Sequence, residues 1–178
     1  MTTHCMLDLE TFGTAPGCAL RSLGAVIFSF NGSVLGEYYA NIDRQSCLDA
    51  GLIINPETEA WWAKQSAEAR AALDENPRPL LEVANEFHKF FRQFGASCVW
   101  SQGANFDEPI WQAVCRQLGL IAPWKYWAVR DTRTAYDLFD FDPRIMLRTG
   151  NHHNALDDAR HQAWCVIEAS RRRGLAAP

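Results

Sequence analysis

Asp8 and Glu10, two positions apart in His4-Cys5-Met6-Leu7-Asp8-Leu9-Glu10, are the first residues whose type and spacing suggest chemistry. Apolar and acidic residues alternate here, which predicts an opening strand over residues 4–10. In a strand both carboxylates leave the same face, about 6–7 Å apart, while Leu7 and Leu9 point the other way into a core. Two like charges so placed repel unless cations lie between them. Taken alone, the pair fits a solvated surface strand better than a metal site.

Asp107 follows in Trp100-Ser101-Gln102-Gly103-Ala104-Asn105-Phe106-Asp107, where a predicted strand runs through a glycine turn into a helix. An acid there caps a helix. The end of a strand in an open α/β sheet is also where ligand sites collect. The third element is His153-Asn154-Ala155-Leu156-Asp157-Asp158-Ala159. Asp158 falls in the first turn of a predicted last helix, with His153 on the incoming loop. A neutral imidazole at that place can take a proton from a water near neutral pH. Asp157 competes with Asp158, and His152 with His153, for these roles.

The elements that must position these groups can be read from pattern. Residues 22–30 and 35–42, split by Asn31-Gly32, predict a hairpin. Asn55-Pro56-Glu57 opens a helix over 56–65, and Ser66 caps a short one ending near Asn76-Pro77. Leu80, Val83, Phe87, Phe90, Phe91 and Phe94 form a helical stripe over 79–94. Residues 98–101 read as a buried strand and 107–118 as a helix. Residues 127–129 read as a last strand that enters a helix near Asp131, and 155–172 as the final helix. Three antiparallel strands followed by parallel strands with helical crossovers make an α/β sandwich.

The chain has 178 residues, nearly half of them apolar, which suits one domain with a proper core over residues 1–178. No apolar run reaches the length of a membrane span. The N-terminus carries neither a basic region nor an apolar signal core, so a cytoplasmic protein is expected. Six scattered cysteines without a CxxC pair read as free thiols. The net charge of −4 argues against a long non-specific duplex binder. It is compatible with an enzyme that grips a few terminal nucleotides and whose carboxylates are neutralised by divalent cations.

Taken in order, Asp8-Leu9-Glu10-Thr11, Asn105-Phe106-Asp107 and His153-x4-Asp158 resemble the motifs of the DEDD 3′→5′ exonucleases with a catalytic histidine. The pattern H-x-A-L-x-D-A from His153 to Ala159 selects His153 over His152 and Asp158 over Asp157. The resemblance implies an RNase H-like fold, a mixed five-stranded sheet flanked by helices. It also implies two Mg²⁺ or Mn²⁺ ions held by Asp8, Glu10, Asp107 and Asp158, with His153 as general base. Hard carboxylate oxygens favour such ions over zinc. The expected substrate is the 3′ end of single-stranded nucleic acid, RNA slightly favoured over DNA, and the product a nucleoside 5′-monophosphate. A binding module without turnover would be expected to lack an acid or the histidine, and none is missing.

Trp61-Trp62-x-x-Gln65-Ser66-x-Glu68-Ala69 and Arg130-Asp131-x-Arg133-Thr134 are similar to the group containing mycobacterial oligoribonuclease-like exoribonucleases and the nuclease domain of exodeoxyribonuclease VIII. Members are often dimeric, so a homodimer is an expectation. Trp61 and Trp62 are about 100° apart on a helix, so at most one faces the core fully. The likeness points Trp62 and Gln65 towards substrate, together with Thr11 and Asn105 of the motifs. Phe12 and Phe106 either wedge against the terminal base or belong to the core. Arg130 and Arg133 either clamp a phosphate bidentately or pair with Asp131 or Asp137 in a surface network.

Overall fold

A computed structural model describes residues 2–174; Met1 and residues 175–178 of the expected 1–178 domain lie outside the described residues. Five strands form one sheet: β1 (His4–Thr11), β2 (Leu20–Phe28), β3 (Val34–Asn41), β4 (Cys98–Ser101) and β5 (Val129–Asp131). Their order is β3-β2-β1-β4-β5. The β1–β2 and β2–β3 pairs are antiparallel, and β1–β4 and β4–β5 are parallel. The mixed five-stranded sheet is the one expected.

Among the described residues, seven α-helices accompany the sheet: α1 (Arg44–Asp49), α2 (Pro56–Trp62), α3 (Ala67–Leu73), α4 (Leu80–Gln93), α5 (Asp107–Gln117), α6 (Thr132–Phe139) and α7 (Ala155–Arg172). Both faces of the sheet are covered, so β1 and β2 are buried almost throughout and do not alternate with solvent. On one face Leu7, Leu9, Leu23 and Ile27 join a core with the α4 stripe (Val83, Phe87, Phe91) and with Trp111 of α5. On the other, Met6, Val26, Phe28 and Trp100 pack with Ala159, Ala163 and Val166 of α7. Asp8 and Glu10 share the second face with Met6, since side chains two apart leave the same side.

Three local expectations shift. The hairpin loop is 29–33, longer than a two-residue turn, with strands ending at Phe28 and beginning at Val34. Asn31 Oδ1 accepts the Ser33 amide at 3.0 Å and Ser29 N–H donates to Ser33 O at 3.0 Å, closing a wider loop. The helix expected over 56–65 stops at Trp62. The last strand falls at 129–131, because Tyr126–Ala128 forms a 3-10 turn. Helix α1 leaves no periodic signal in the sequence: its six residues bury only Cys47 and so carry no stripe. It begins because Asp43 caps the Ser46 amide at 2.7 Å.

All six cysteines are free and buried. No helix among the described residues is long and apolar enough to cross a membrane.

Candidate active site

The ladder between β1 and β4 covers only His4–Met6 and Cys98–Trp100. Beyond Met6 the two strands part, and Asp107, at the start of α5, enters the gap. Its Oδ1 accepts the Leu9 backbone N–H at 3.0 Å, replacing a ladder bond with a carboxylate. The turn before Asp107 is fixed from the next strand. Asp131 Oδ2 accepts the amides of Gly103 and Ala104 at 3.0 and 2.7 Å, while its Oδ1 caps α6 at the Thr134 amide. Asp131, which the sequence suggests only as a surface partner for arginine, therefore positions the loop that carries Asp107.

The last helix approaches from the opposite side of β1. Gly24 lies opposite Asp8 on β2. A Cβ on Gly24 would stand 2.2 Å from the Ala155 carbonyl carbon, so the first turn of α7 rests directly on this glycine. Asn154 caps α7 by accepting the Leu156 and Asp157 amides, each at 3.1 Å. The residue before the cap, His153, has φ +63°, a left-handed conformation that costs a non-glycine residue about 1–3 kcal/mol. The result is a cluster in which ligand atoms of Glu10, His153 and Asp158 all lie within 4.8 Å of one another.

Asp8 and Asp107 join this cluster through their charges. Burial first, and then the charges of Asp107 and Glu10, hold Asp8 well above the ordinary carboxylate range. Burial and the Asp107 charge push Glu10 up to about 8. Burial takes Asp107 up to about 7 even though the Leu9 amide bonds its charged form. Four carboxylates from three elements, with three of them this reluctant to ionise, form a site whose nearby arginines do not balance its acids. Asp158 Oδ1 is buried as well, and it meets a guanidinium rather than a backbone donor. The donor set is hard oxygen, with one imidazole at its edge, and fits divalent cations of the Mg²⁺ and Mn²⁺ type.

Two contacts here were missed from sequence. Gln162 Nε2 donates to Asp8 Oδ1 at 2.7 Å. Gln162 lies one helical turn beyond Asp158, so the i, i+4 spacing was the available signal. Arg148, in the loop before α7, forms an ion pair with Asp158. Nothing in a long irregular loop announces such a contact.

Beside Glu10 lies a cavity of about 410 Å³, lined by Leu9, Thr11, Thr58, Trp61, Trp62 and Phe106 among others. Its size suits a nucleobase and sugar. Of the two tryptophans, Trp62 is the buried one, at 3% exposure. Its indole N–H donates to Thr11 O at 2.8 Å and Arg21 covers its face at 4.6 Å, so it forms wall rather than a free stacking surface. Trp61 is 42% exposed and its ring meets His153 edge-on at 5.0 Å. The exposed aromatic face therefore belongs to Trp61, because the α2 stripe turns Trp62 to the core.

The other expected contacts divide. Thr11 is buried, donates to Gly13 O at 2.6 Å and borders the cavity with Phe106. Phe12 points away from it: the ring is buried in the core beneath Arg21 and Arg44, each 5.5 Å from its centre. Gln65 bonds Trp61 O at 3.2 Å and closes the end of α2. The Glu68 and Ala69 side chains of that motif lie outside the described residues. Asn105 is exposed on the turn before Asp107. Arg130 bonds the carbonyls of Trp127 and Val129, a local structural role. Arg133 is exposed on α6; its guanidinium lies over Gly103 on the turn before Asp107 and its charge acts on that carboxylate, while it also borders an open cleft of about 680 Å³ with Asp137, Asp140 and Asp142. That cleft shares no residue with the acid cluster.

The model of the Rv2179c-like 3′-5′ exoribonuclease domain matches residues 3–170. No curated protein matches the chain. Among solved structures the chain is similar to Pop2p of S. pombe in its Mg²⁺- and Mn²⁺-bound form, with TM-score 0.61 and 12% identity over 98% of this chain and 85% of that one. At this identity the likeness speaks for the RNase H-like fold alone.

Proposed function

This chain belongs to the Rv2179c-like 3′-5′ exoribonuclease domain family, and from that premise we propose that it shortens single-stranded RNA from the 3′ end with two divalent cations, releasing nucleoside 5′-monophosphates. The observation that carries the reading is the convergence of Asp8, Glu10, Asp107 and Asp158, from β1, α5 and α7, with His153 at their edge. Mg²⁺ or Mn²⁺ held by these four carboxylates would supply Lewis acidity to the phosphate and to the attacking water.

His153 is the proton acceptor. Burial, and then the charges of His152 and Arg148, lower its pKa below the ordinary 6.5, so the ring is neutral near pH 7. Its strained backbone and the edge contact with Trp61 hold it in place. Water adds to phosphorus as His153 takes its proton. The bond to the 3′-oxygen of the penultimate nucleotide breaks, and the terminal nucleotide departs with the phosphate on its 5′-oxygen.

Trp61 offers its face to the terminal base, a stacking contact worth about 1–3 kcal/mol. Thr11 and Phe106 wall the same cavity. Residues 1–178 act as a single catalytic domain.

The test is a Mn²⁺ time course on matched 5′-labelled single-stranded RNA and DNA, resolved at one-nucleotide intervals. A ladder shortening stepwise in the RNA lane, faster than in the DNA lane, is expected. A faster DNA lane would reassign the sugar. Two intact lanes from folded, metal-loaded protein would overturn the reading.

A further inference from the structure

Arg148 stands in the loop between α6 and α7, and its Nη2 pairs with Asp158 Oδ1. The pair is sheltered, with side-chain exposures of 28% and 14%. The same guanidinium acts electrostatically on Asp8, Glu10 and His153, so one cation reaches most of the site. Its Nε is buried and has no hydrogen-bond partner among the described residues. A guanidinium carries five N–H donors in a planar fork. Here one nitrogen serves Asp158 while Nε is unused. An Nε–Nη edge of this kind matches two oxygens of a phosphate.

The loop gives Arg148 a short tether. Gly150 has φ +85°, and a Cβ on it would stand 2.4 Å from Asp157 Cγ, so only glycine fits there. The Asn151 amide donates to Asp157 Oδ2 at 2.9 Å. Asp157 is itself held by Arg160 at 2.8 Å, and Arg160 is anchored by Glu37 on β3. Arg148 is thus two residues from a fixed point and can turn without leaving the site.

We propose that Arg148 is a substrate-binding residue that exchanges partners, from Asp158 in the free chain to a phosphate of the bound strand once the carboxylates are loaded. The inference rests on the metal-dependent reading above. A divalent ion on Asp158 competes with Arg148 for the same sheltered carboxylate, and that competition loosens the ion pair. Bound ions also invert the local charge, which repels the guanidinium from the carboxylates. The anion then within reach is the phosphate backbone of the strand.

The test uses Arg148→Ala and Arg148→Lys in the whole chain. Mn²⁺ binding without nucleic acid is followed by electron paramagnetic resonance, and kcat and KM are measured on a short labelled oligonucleotide at saturating Mn²⁺. Arg148→Ala is expected to bind Mn²⁺ about fivefold more tightly, because a competing ion pair is gone. Its KM is expected to rise about tenfold or more through the lost phosphate contact, with a smaller change in kcat. Arg148→Lys keeps the competition for Asp158 but recovers only part of the KM, since it lacks the fork. Unchanged or weaker Mn²⁺ affinity in a folded Arg148→Ala protein, or an unchanged KM, overturns the exchange. Failure of the unmutated chain to bind Mn²⁺ is a different result: it overturns the metal-dependent reading itself.

Discussion

Asp107 and Leu9, 98 residues apart, are joined by a hydrogen bond of 3.0 Å from the Leu9 amide to the Asp107 carboxylate. This bond places an acid from α5 in the cleft between β1 and β4, beside two acids of β1. Asparagine can accept the same bond through its amide oxygen. Asp107→Asn is therefore expected to keep the fold and its melting temperature within a few degrees. Turnover is expected to fall by at least about 100-fold, because the site loses a charged oxygen donor. Steady-state exonuclease assays beside a thermal melt would separate the two effects. Near-normal turnover would remove Asp107 from the metal site.

The acid cluster predicts how metal-free stability varies with pH. Glu10 rises from an ordinary 4.5 to about 8, and Asp107 from 3.8 to about 7, so the folded chain holds these protons more tightly than the unfolded chain. Their contribution to stability is fully present below pH 3.8–4.5 and is lost as pH rises through 7 and 8. With a chelator present, the melting temperature should fall across that window. Mn²⁺ should restore it, with the largest gain at the alkaline end. Glu10→Gln should flatten part of the slope, and a slope unchanged by that substitution would contradict the assignment.

Gln162 bonds the charged form of Asp8 and so opposes its raised pKa. Replacing it with leucine makes Asp8 harder still to ionise. Gln162→Leu should lose about tenfold or more in activity, as is usual for partners that orient metal ligands. The loss should be greatest at acidic pH, with the lower limb of the pH–rate profile moved upward. A uniform loss at every pH would indicate damage to packing instead.

Trp61 and Trp62 offer a paired test. Trp61→Ala should leave stability nearly unchanged and raise KM for short oligonucleotides, because an exposed stacking face is removed. Trp62→Ala removes a buried wall and the bond to Thr11, and should cost about 3–5 kcal/mol of stability. A KM effect confined to Trp62→Ala in protein that remains folded would reverse the roles of the two rings.

Gly24 supports the first turn of α7 by having no side chain. Gly24→Ala must push the helix away or bend β2, at a cost of about 1–3 kcal/mol. Activity should drop more steeply than stability, since Asp158 and His153 move with the helix. Calorimetry and rate measurements on one preparation would show whether the two losses part in this way.

How much the sequence conveys depends on the kind of signal each residue leaves. Period-two alternation places Asp8 and Glu10 on one face of a strand, and α7 runs over the residues its pattern predicts. The three motifs put the acids and His153 in order along the chain; the fold brings ligand atoms of Glu10, His153 and Asp158 within 4.8 Å of one another, with Asp8 and Asp107 close enough to act on their neighbours' charges. Which of Trp61 and Trp62 turns to the core is not readable in advance, because a helical stripe gives spacing without absolute orientation; Trp62 is the buried one. Phe12 follows Thr11 directly, which suggests a place beside the site. A shift in strand register between Glu10 and Thr11 accompanies the turn of this segment, and the ring is buried in the core. Arg148 acts through a loop contact, for which no periodicity exists to read.

The bond from Gln162 to Asp8 spans 154 residues, and Asp158 shares its helix. A ribosome adding roughly 5–20 residues per second would need about 8–30 s to traverse that interval. Throughout it, β1 carries its two carboxylates without their partners from α7. A nascent chain therefore holds an incomplete cutting centre while it is threaded beside its own messenger. Competence arrives only when α7 docks, so nuclease activity waits until that helix has been made.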